Sequence, residues 1–211
     1  MAAFPVPTLA RERRAWAEGR LLVGVDEVGR GPLAGPVLAA AVVFPARCRG
    51  LRGLRDSKTL PAARREALAA AIRVKALAVG LGAASVREID RFNIRVATAV
   101  AMRRALCRVL PRVEGALVIL DGLPLPELGL EHEALVDGDA HCHTIAAAGV
   151  VAKTVRDALM RRLALRHPGY GWDTNAGYGT DNHHAGLRLQ GPTCHHRRSF
   201  APVTQLVLPL E

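Results

Sequence analysis

The sequence predicts one mixed α/β domain, a sheet interleaved with helices early in the chain and a mainly helical portion at its end. Short apolar runs alternate with stretches of helical periodicity up to about residue 139, after which helical spacing dominates. Half of the 211 residues are hydrophobic, which suits one sizeable core with a modest appendage at most. Several apolar runs end in carboxylates, as expected of an open sheet whose strand exits carry a site.

Residues 1–19 carry Arg11, Glu12, Arg13 and Arg14 where an export signal would need its apolar centre, and are expected to form a flexible leader. Residues 21–26 read as a buried strand and Leu33–Phe44 as a second, joined through the "GRG" turn at Gly29–Gly31. A loop over 45–59 contains Pro45, Gly50 and Gly53 and ends in "RDSKTL". From Pro61 to about Ala76, alanine, leucine and charged residues recur at helical spacing, and "LAVGLGAA" (77–84) reads as a third strand. Ser85 and Glu88 stand at capping-box spacing, so a helix starts there; a longer one is expected over about Ile94–Val109. "GALVILDG" (115–122) and "EALVDGD" (133–139) read as fourth and fifth strands, both ending in acids. One long helix is expected from about Thr144 to Arg166, stopped by Pro168, and a short one near Asp181–Leu189. No internal repeat appears. The domain is therefore read over 20–203, with 204–211 as a C-terminal tail.

"VLAAAVVFP" is far too short to span a membrane. Cys48, Cys107, Cys142 and Cys194 are scattered without a CxxC pair, which fits a reduced interior, and the expected compartment is the cytoplasm. "HCH" (141–143) and "CHH" (194–196) lack the two spaced ligand pairs of a zinc site. Lysine and arginine exceed aspartate and glutamate by 29 − 19 = 10, which points to a polyanionic partner, most simply nucleic acid. A coding bias toward arginine on solvated faces is the bland alternative.

The acids carry the sharper signal. Asp26 and Glu27 end the first strand, Asp121 ends the fourth, and Asp139 follows the fifth. Neighbours within a strand face opposite sides, so Asp26 and Glu27 share a site only where the strand is ending; Gly29 supplies that ending. Converging carboxylates repel one another and raise their own pKa values. A hard divalent cation such as Mg²⁺ resolves the conflict. Two such ions can activate a water and stabilise the leaving oxygen of an in-line phosphodiester displacement. In the competing reading, each acid caps a helix or pairs with an arginine.

"GVDEVGRGPLAGP" resembles the signature of the type 2 ribonuclease H family, in particular its bacterial ribonuclease HII members. "DSK" (56–58), "ID" (89–90), "LDG" (120–122), "GD" (138–139), "AKTVRD" (152–157), "GYGT" (177–180) and "HHRRSF" (195–200) agree in order and spacing. The resemblance covers roughly residues 20 to 203. It implies an RNase H-like mixed five-stranded sheet flanked by helices, with a helical C-terminal portion. It implies hydrolysis of the RNA strand of RNA–DNA hybrids with Mg²⁺ or Mn²⁺, two ions in the working complex. It also implies nicking 5′ of ribonucleotides embedded in duplex DNA, leaving 3′-hydroxyl and 5′-phosphate ends. Carried over by position, Asp26, Glu27, Asp121 and Asp139 match the catalytic, metal-binding acids. Gly29, Arg30 and Gly31 match the turn that recognises the ribonucleotide, and Tyr178 the tyrosine that packs on the sugar of the next deoxynucleotide. A monomer is expected.

The residue types suit these roles. A 2′-hydroxyl is both donor and acceptor and is sensed by polar groups close to the sugar; glycines let backbone groups approach, and Arg30 can meet phosphate. Tyr178 offers a flat apolar face, its alternative being an ordinary core tyrosine. Lys58 either contacts backbone phosphate or braces the acids. Lys153 and Asp157, four apart on a helix, read as an ion pair, whereas the resemblance places both near the site and Asp157 at times in the metal environment. His183, His195 and His196 could shuttle protons, touch phosphate or pack locally. Two departures from the family pattern stand out. Ala176 replaces a common lysine, and Ala146 and Gly149 replace small hydroxyl residues. A mid-helix glycine costs roughly 1 kcal/mol against alanine, so Gly149 predicts close packing.

A ribonuclease HIII-like enzyme carries an additional N-terminal domain, which the residues before the first strand are too few to form. A non-catalytic hybrid-binding module would have lost an acid, and none is missing. In "QLVLPLE", Gln205, Leu206, Leu208, Pro209 and Leu210 resemble the Gln-Leu-x-Leu-Pro-Leu peptide by which bacterial repair proteins hold the sliding clamp. The alternative is that these leucines fold back onto the core.

Overall fold

The computed structural model describes residues 6–207. Its centre is a five-stranded sheet of order β3-β2-β1-β4-β5, with β1 at Leu22–Val28, β2 at Val37–Val43, β3 at Ala78–Ala84, β4 at Leu117–Asp121 and β5 at Glu133–Leu135. β1 to β3 form an antiparallel meander, while β4 lies parallel to β1 and β5 parallel to β4. The sheet is mixed, as the sequence predicts.

Alternation along the strands builds two cores. Val37, Ala39, Ala41 and Val43 of β2 pack with Ile89, Ala97, Met102 and Leu106 of α3 (Val86–Leu106). Ala40 and Val42 face the other way, onto Leu68, Ala69 and Ile72 of α2 (Ala62–Lys75) and Ala146–Ala152 of α5 (His143–Arg166). A third cluster joins Leu33 and Met160 to Tyr170, Trp172, Leu187 and Val203 in the helical C-terminal portion. That portion comprises α6 (Trp172–Asn175), α7 (Asp181–Gln190) and α8 (Ala201–Val207). Among the described residues no helix is long and apolar enough to cross a membrane.

The capping box at Ser85 and Glu88 is formed in both directions. α3 then breaks at Asn93 (φ 70°, ψ 167°), whose Oδ1 accepts the N–H of Arg95 and of Val96 and restarts the helix. The predicted pair of helices is thus real, with Asn93 as the joint.

Two expectations need correction. β5 holds only three residues, and Asp139 lies not on a strand but in the one-turn helix α4 (Gly138–His141). The leader is not free either, because Ala10–Ala17 forms a helix, α1. Glu12 is 1% exposed and its Oε1 accepts from Thr144 N and Oγ1, both at 2.7 Å, and from Cys142 Sγ at 3.4 Å. Thr8 pairs with Cys142 alongside. Three solvated arginines hide one acid that caps the N-terminus of α5, where negative charge is favoured. Glu12→Ala is expected to lower the unfolding free energy by about 3 kcal/mol, since bonds to a buried charge are lost and buried donors are left bare. Urea unfolding measures it, and an unchanged midpoint would show that α1 is not anchored through this carboxylate.

Candidate active site

The site forms where β1 outruns β4. Pairing of β1 with β4 stops at Val25, whereas pairing with β2 continues to Val28. Asp26 and Glu27 therefore stand beside the end of β4, whose last residue is Asp121. Asp121 Oδ1 accepts the Gly138 N–H at 2.7 Å, which draws in the start of α4 and with it Asp139. One carboxylate oxygen each from Asp26, Asp121 and Asp139 lies within 4.8 Å of the other two.

Gly149 explains how α5 comes so close. A Cβ there would overlap Asp26 Oδ2, so the carboxylate sits in the space a side chain would fill, which is the close packing expected at this position. Glu27 leaves β1 on the opposite side and stands outside this trio. It lines a cleft with Asp121, Thr98 and Leu123, and Arg30 Nη1 lies 3.3 Å from its Oε1. The four acids are thus one close cluster of three with the fourth at its border.

The cluster is electrostatically costly as it stands. Burial, then Asp121, Glu27 and Asp139, hold the Asp26 carboxyl well above the usual range, against the pull of Lys58. Burial, Asp121 and Asp56 push Asp139 up to about 6. Burial raises Asp121 despite its bond from Gly138, and raises Glu27 despite Arg30. Burial alone would lower the Lys58 ammonium, but Asp56, Asp26, Asp139 and Asp121 raise it. An all-oxygen donor set held against its own repulsion fits a hard divalent cation.

Asp56 is an acid the sequence reading passed over within "DSK". It caps the turn Ser57–Thr59 by accepting the Lys58 N–H, and it neighbours Asp139. Asp157 is not in the carboxylate cluster. It accepts from Lys153 Nζ and from Arg65 Nη2, both at 2.7 Å, and Arg65 Nη1 donates to the Ser57 and Leu60 carbonyls. The ion pair read from the helical spacing is present, and through Arg65 it braces the turn that presents Lys58.

Tyr178 is 43% exposed and is no core tyrosine. Its ring edge lies 3.6 Å from where a Gly31 side chain would begin, so tyrosine and turn form one corner. Ala176, in the lysine's place, has φ 49° and gives its carbonyl to Arg156 Nη1.

His183 and His196 are buried and pack locally. His183 Nδ1 donates to the Tyr178 carbonyl, Trp172 Nε1 donates to His183 Nε2, and the two imidazole Nε2 atoms meet at 3.0 Å. Thr193 N donates to His196 Nδ1. Burial lowers both pKa values, with His196 falling to about 3 as His183 and His195 add to it. An unfolded histidine titrates near about 6.5. Below that pH the unfolded chain takes up protons that the fold refuses, so this pair stabilises above about pH 6.5 and the contribution is lost as pH falls toward about 3. The raised carboxylates act in the opposite sense, so the test is differential: the parent is expected to lose more stability from pH 7 to pH 5 than His196→Asn does. Equal losses in urea unfolding would count against the pair.

A family model described as ribonuclease HII matches residues 23–203. A ribonuclease HII from Synechococcus sp. (strain JA-3-3Ab) is 52% identical over 95% of this chain and 90% of its own length. One from Cereibacter sphaeroides (strain ATCC 17025 / ATH 2.4.3) is 55% identical over 95% and 94%. Among solved structures, the ribonuclease H2 of Pyrococcus horikoshii OT3 superposes with a TM-score of 0.72 at 22% identity, covering 88% of this chain and 96% of that one. The ribonuclease HII of Archaeoglobus fulgidus, solved in complex with PCNA, gives 0.71 at 25% identity, covering 90% and 98%.

Proposed function

The chain belongs to the ribonuclease HII family, which makes it a nuclease, and from that premise we propose that it hydrolyses the RNA strand of RNA–DNA hybrids and nicks duplex DNA 5′ of embedded ribonucleotides, leaving 3′-hydroxyl and 5′-phosphate ends. The observation that carries this reading is the convergence of Asp26, Asp121 and Asp139, with Arg30 of the Gly29–Gly31 turn lining a cleft with Asp121. These three carboxylates, with Glu27 at their border, are the groups that would hold Mg²⁺ or Mn²⁺. Two such ions would supply an activated water and stabilise the leaving oxygen. Lys58 feels the same acids and would orient a backbone phosphate, while Lys153 and Asp157 secure its turn through Arg65. Arg30 meets the phosphate at the junction, and Tyr178 lies against the deoxyribose that follows the ribonucleotide. The formal charge of +10 supplies non-specific attraction to the duplex, which weakens as salt rises.

The protein would work as a cytoplasmic monomer. The Archaeoglobus relative is solved with a sliding clamp. For this chain the bacterial clamp would be held through Gln205–Leu210, of which Gln205 lies on α8 and Leu208–Leu210 lie outside the described residues. Tethering would raise the enzyme's local concentration on newly made DNA. Titrating purified clamp against the full chain and a version ending at Thr204 tests this, and equal binding by both would remove it.

The deciding experiment incubates the protein with an end-labelled duplex containing one ribonucleotide, with Mg²⁺, with Mn²⁺ or with chelator. A single metal-dependent cut 5′ of the ribonucleotide is expected. No cut, or cutting of the all-DNA duplex, would overturn the reading.

A further inference from the structure

Behind the Gly29–Gly31 turn lie two arginines, Arg156 and Arg197, both fully buried. Among the described residues their hydrogen bonds go only to backbone carbonyls. Arg197 donates from Nη2 to the Gly29 carbonyl at 2.6 Å, from Nη1 to Arg30 at 2.8 Å, and from Nε and Nη2 to Gly35 at 2.9 and 2.8 Å. Arg156 donates to the carbonyls of Pro36, Ala34 and Ala176 at 3.0, 3.0 and 2.8 Å. Burying two guanidinium groups is expensive unless every donor is satisfied, so these carbonyls are held in place firmly.

A trans peptide has its C=O and the following N–H pointing in opposite directions, and no peptide bond among the described residues is cis. Pulling the Gly29 and Arg30 carbonyls inward therefore turns the N–H groups of Arg30 and Gly31 outward. Neither N–H has a backbone partner among the described residues, and the next residue, Pro32, has no N–H to offer. Gly29 has φ +91°, and a side chain there would run into Arg156, so only glycine fits. Arg156 also secures the other half of the corner: it holds Ala176, two residues before Tyr178, and the Gly177 carbonyl accepts the Leu33 N–H.

We propose that Arg197, supported by Arg156, is a positioning residue for substrate selection: Arg197 aims the Arg30 and Gly31 amides at the ribonucleotide, and Arg156 fixes the Tyr178 segment beside them. This rests on the turn being the ribonucleotide sensor. The guanidinium fork is essential, because one planar group must hold three carbonyls at once, a task a lysine ammonium cannot repeat in that geometry.

The test compares binding, without divalent metal, of a duplex containing one ribonucleotide and an all-DNA duplex of the same sequence. In the parent, the Arg30 and Gly31 amide resonances should shift more with the ribonucleotide duplex. Arg197→Lys keeps the charge and should lower the ribonucleotide preference about tenfold, leaving Mn²⁺ affinity unchanged; Arg156→Lys should act in the same direction more weakly. A merely structural role would weaken both duplexes alike. The proposal is overturned if folded Arg197→Lys keeps the parent's preference, or if the Arg30 and Gly31 amides of the parent respond equally to both duplexes. Should Arg197→Lys fail to fold, the parent's amide shifts and Arg156→Lys decide. A parent with no preference at all fails earlier, and takes the sensor reading down with it.

Discussion

Asp121→Asn is expected to cut nicking by about a thousandfold or more while the fold stays intact. The asparagine oxygen can still accept the Gly138 N–H, so α4 remains tied to β4 and only the charge is lost. Asp26→Asn should be as inactive, and its fold more stable than the parent's when metal is withheld. The sign follows from its surroundings. Burial and the neighbouring acids raise the folded pKa of Asp26 above its unfolded value, so the fold holds this proton more tightly and the ionised form works against folding near neutral pH. That strain fades as pH falls through the folded pKa, and a neutral amide removes it at any pH. Metal binding should relieve it in the parent, raising the melting temperature as Mn²⁺ is added. Thermal melts with chelator and with Mn²⁺, read beside the nicking assay, separate the two effects. Full activity in either folded variant, or an Mn²⁺ shift in Asp26→Asn equal to the parent's, would sink the assignment.

The same cluster shows how far residue patterns carry. Asp26, Asp121 and Asp139 are legible because each follows an apolar run, and Ser85 with Glu88 because a capping box has fixed spacing. Gly149 is legible as a cost that needed a reason, and the Asp26 carboxylate is that reason. Glu27 and Asp26 are adjacent in sequence and leave β1 on opposite sides, yet β4 ends early enough for both to stand beside Asp121, which no spacing in the sequence shows. Charged residues that go inside are the hardest to read. Glu12 hides among arginines in what looks like solvated leader, and Arg197 sits in "HHRRSF", where a contact to phosphate is the natural guess. Their burial depends on carbonyls and amides supplied by distant segments, and no local spacing announces those.

Tyr178→Ala should slow cleavage at a single embedded ribonucleotide about 10- to 100-fold, in line with the roughly 1–3 kcal/mol that aromatic stacking on a nucleotide contributes. The loss should fall on recognition and leave the fold alone. The ring is largely at the surface, and the bond from His183 goes to the Tyr178 backbone carbonyl, which alanine keeps. Tyr178 is not one of the clustered carboxylates, which lie on β1, β4 and α4, so Mn²⁺ affinity should not move. Tyr178→Phe keeps the flat apolar face and should retain most activity, which separates packing on the sugar from any use of the hydroxyl. Long hybrids offer many ribonucleotides and no adjacent deoxyribose for the ring to read, so their cleavage should suffer less than the single-ribonucleotide duplex. Rates on the two substrates, measured side by side for parent, Phe and Ala, give the ratio that matters. If Ala nicks the single-ribonucleotide duplex as fast as the parent, or loses equally on both substrates, Tyr178 is not the group that distinguishes DNA from RNA on that side of the cut.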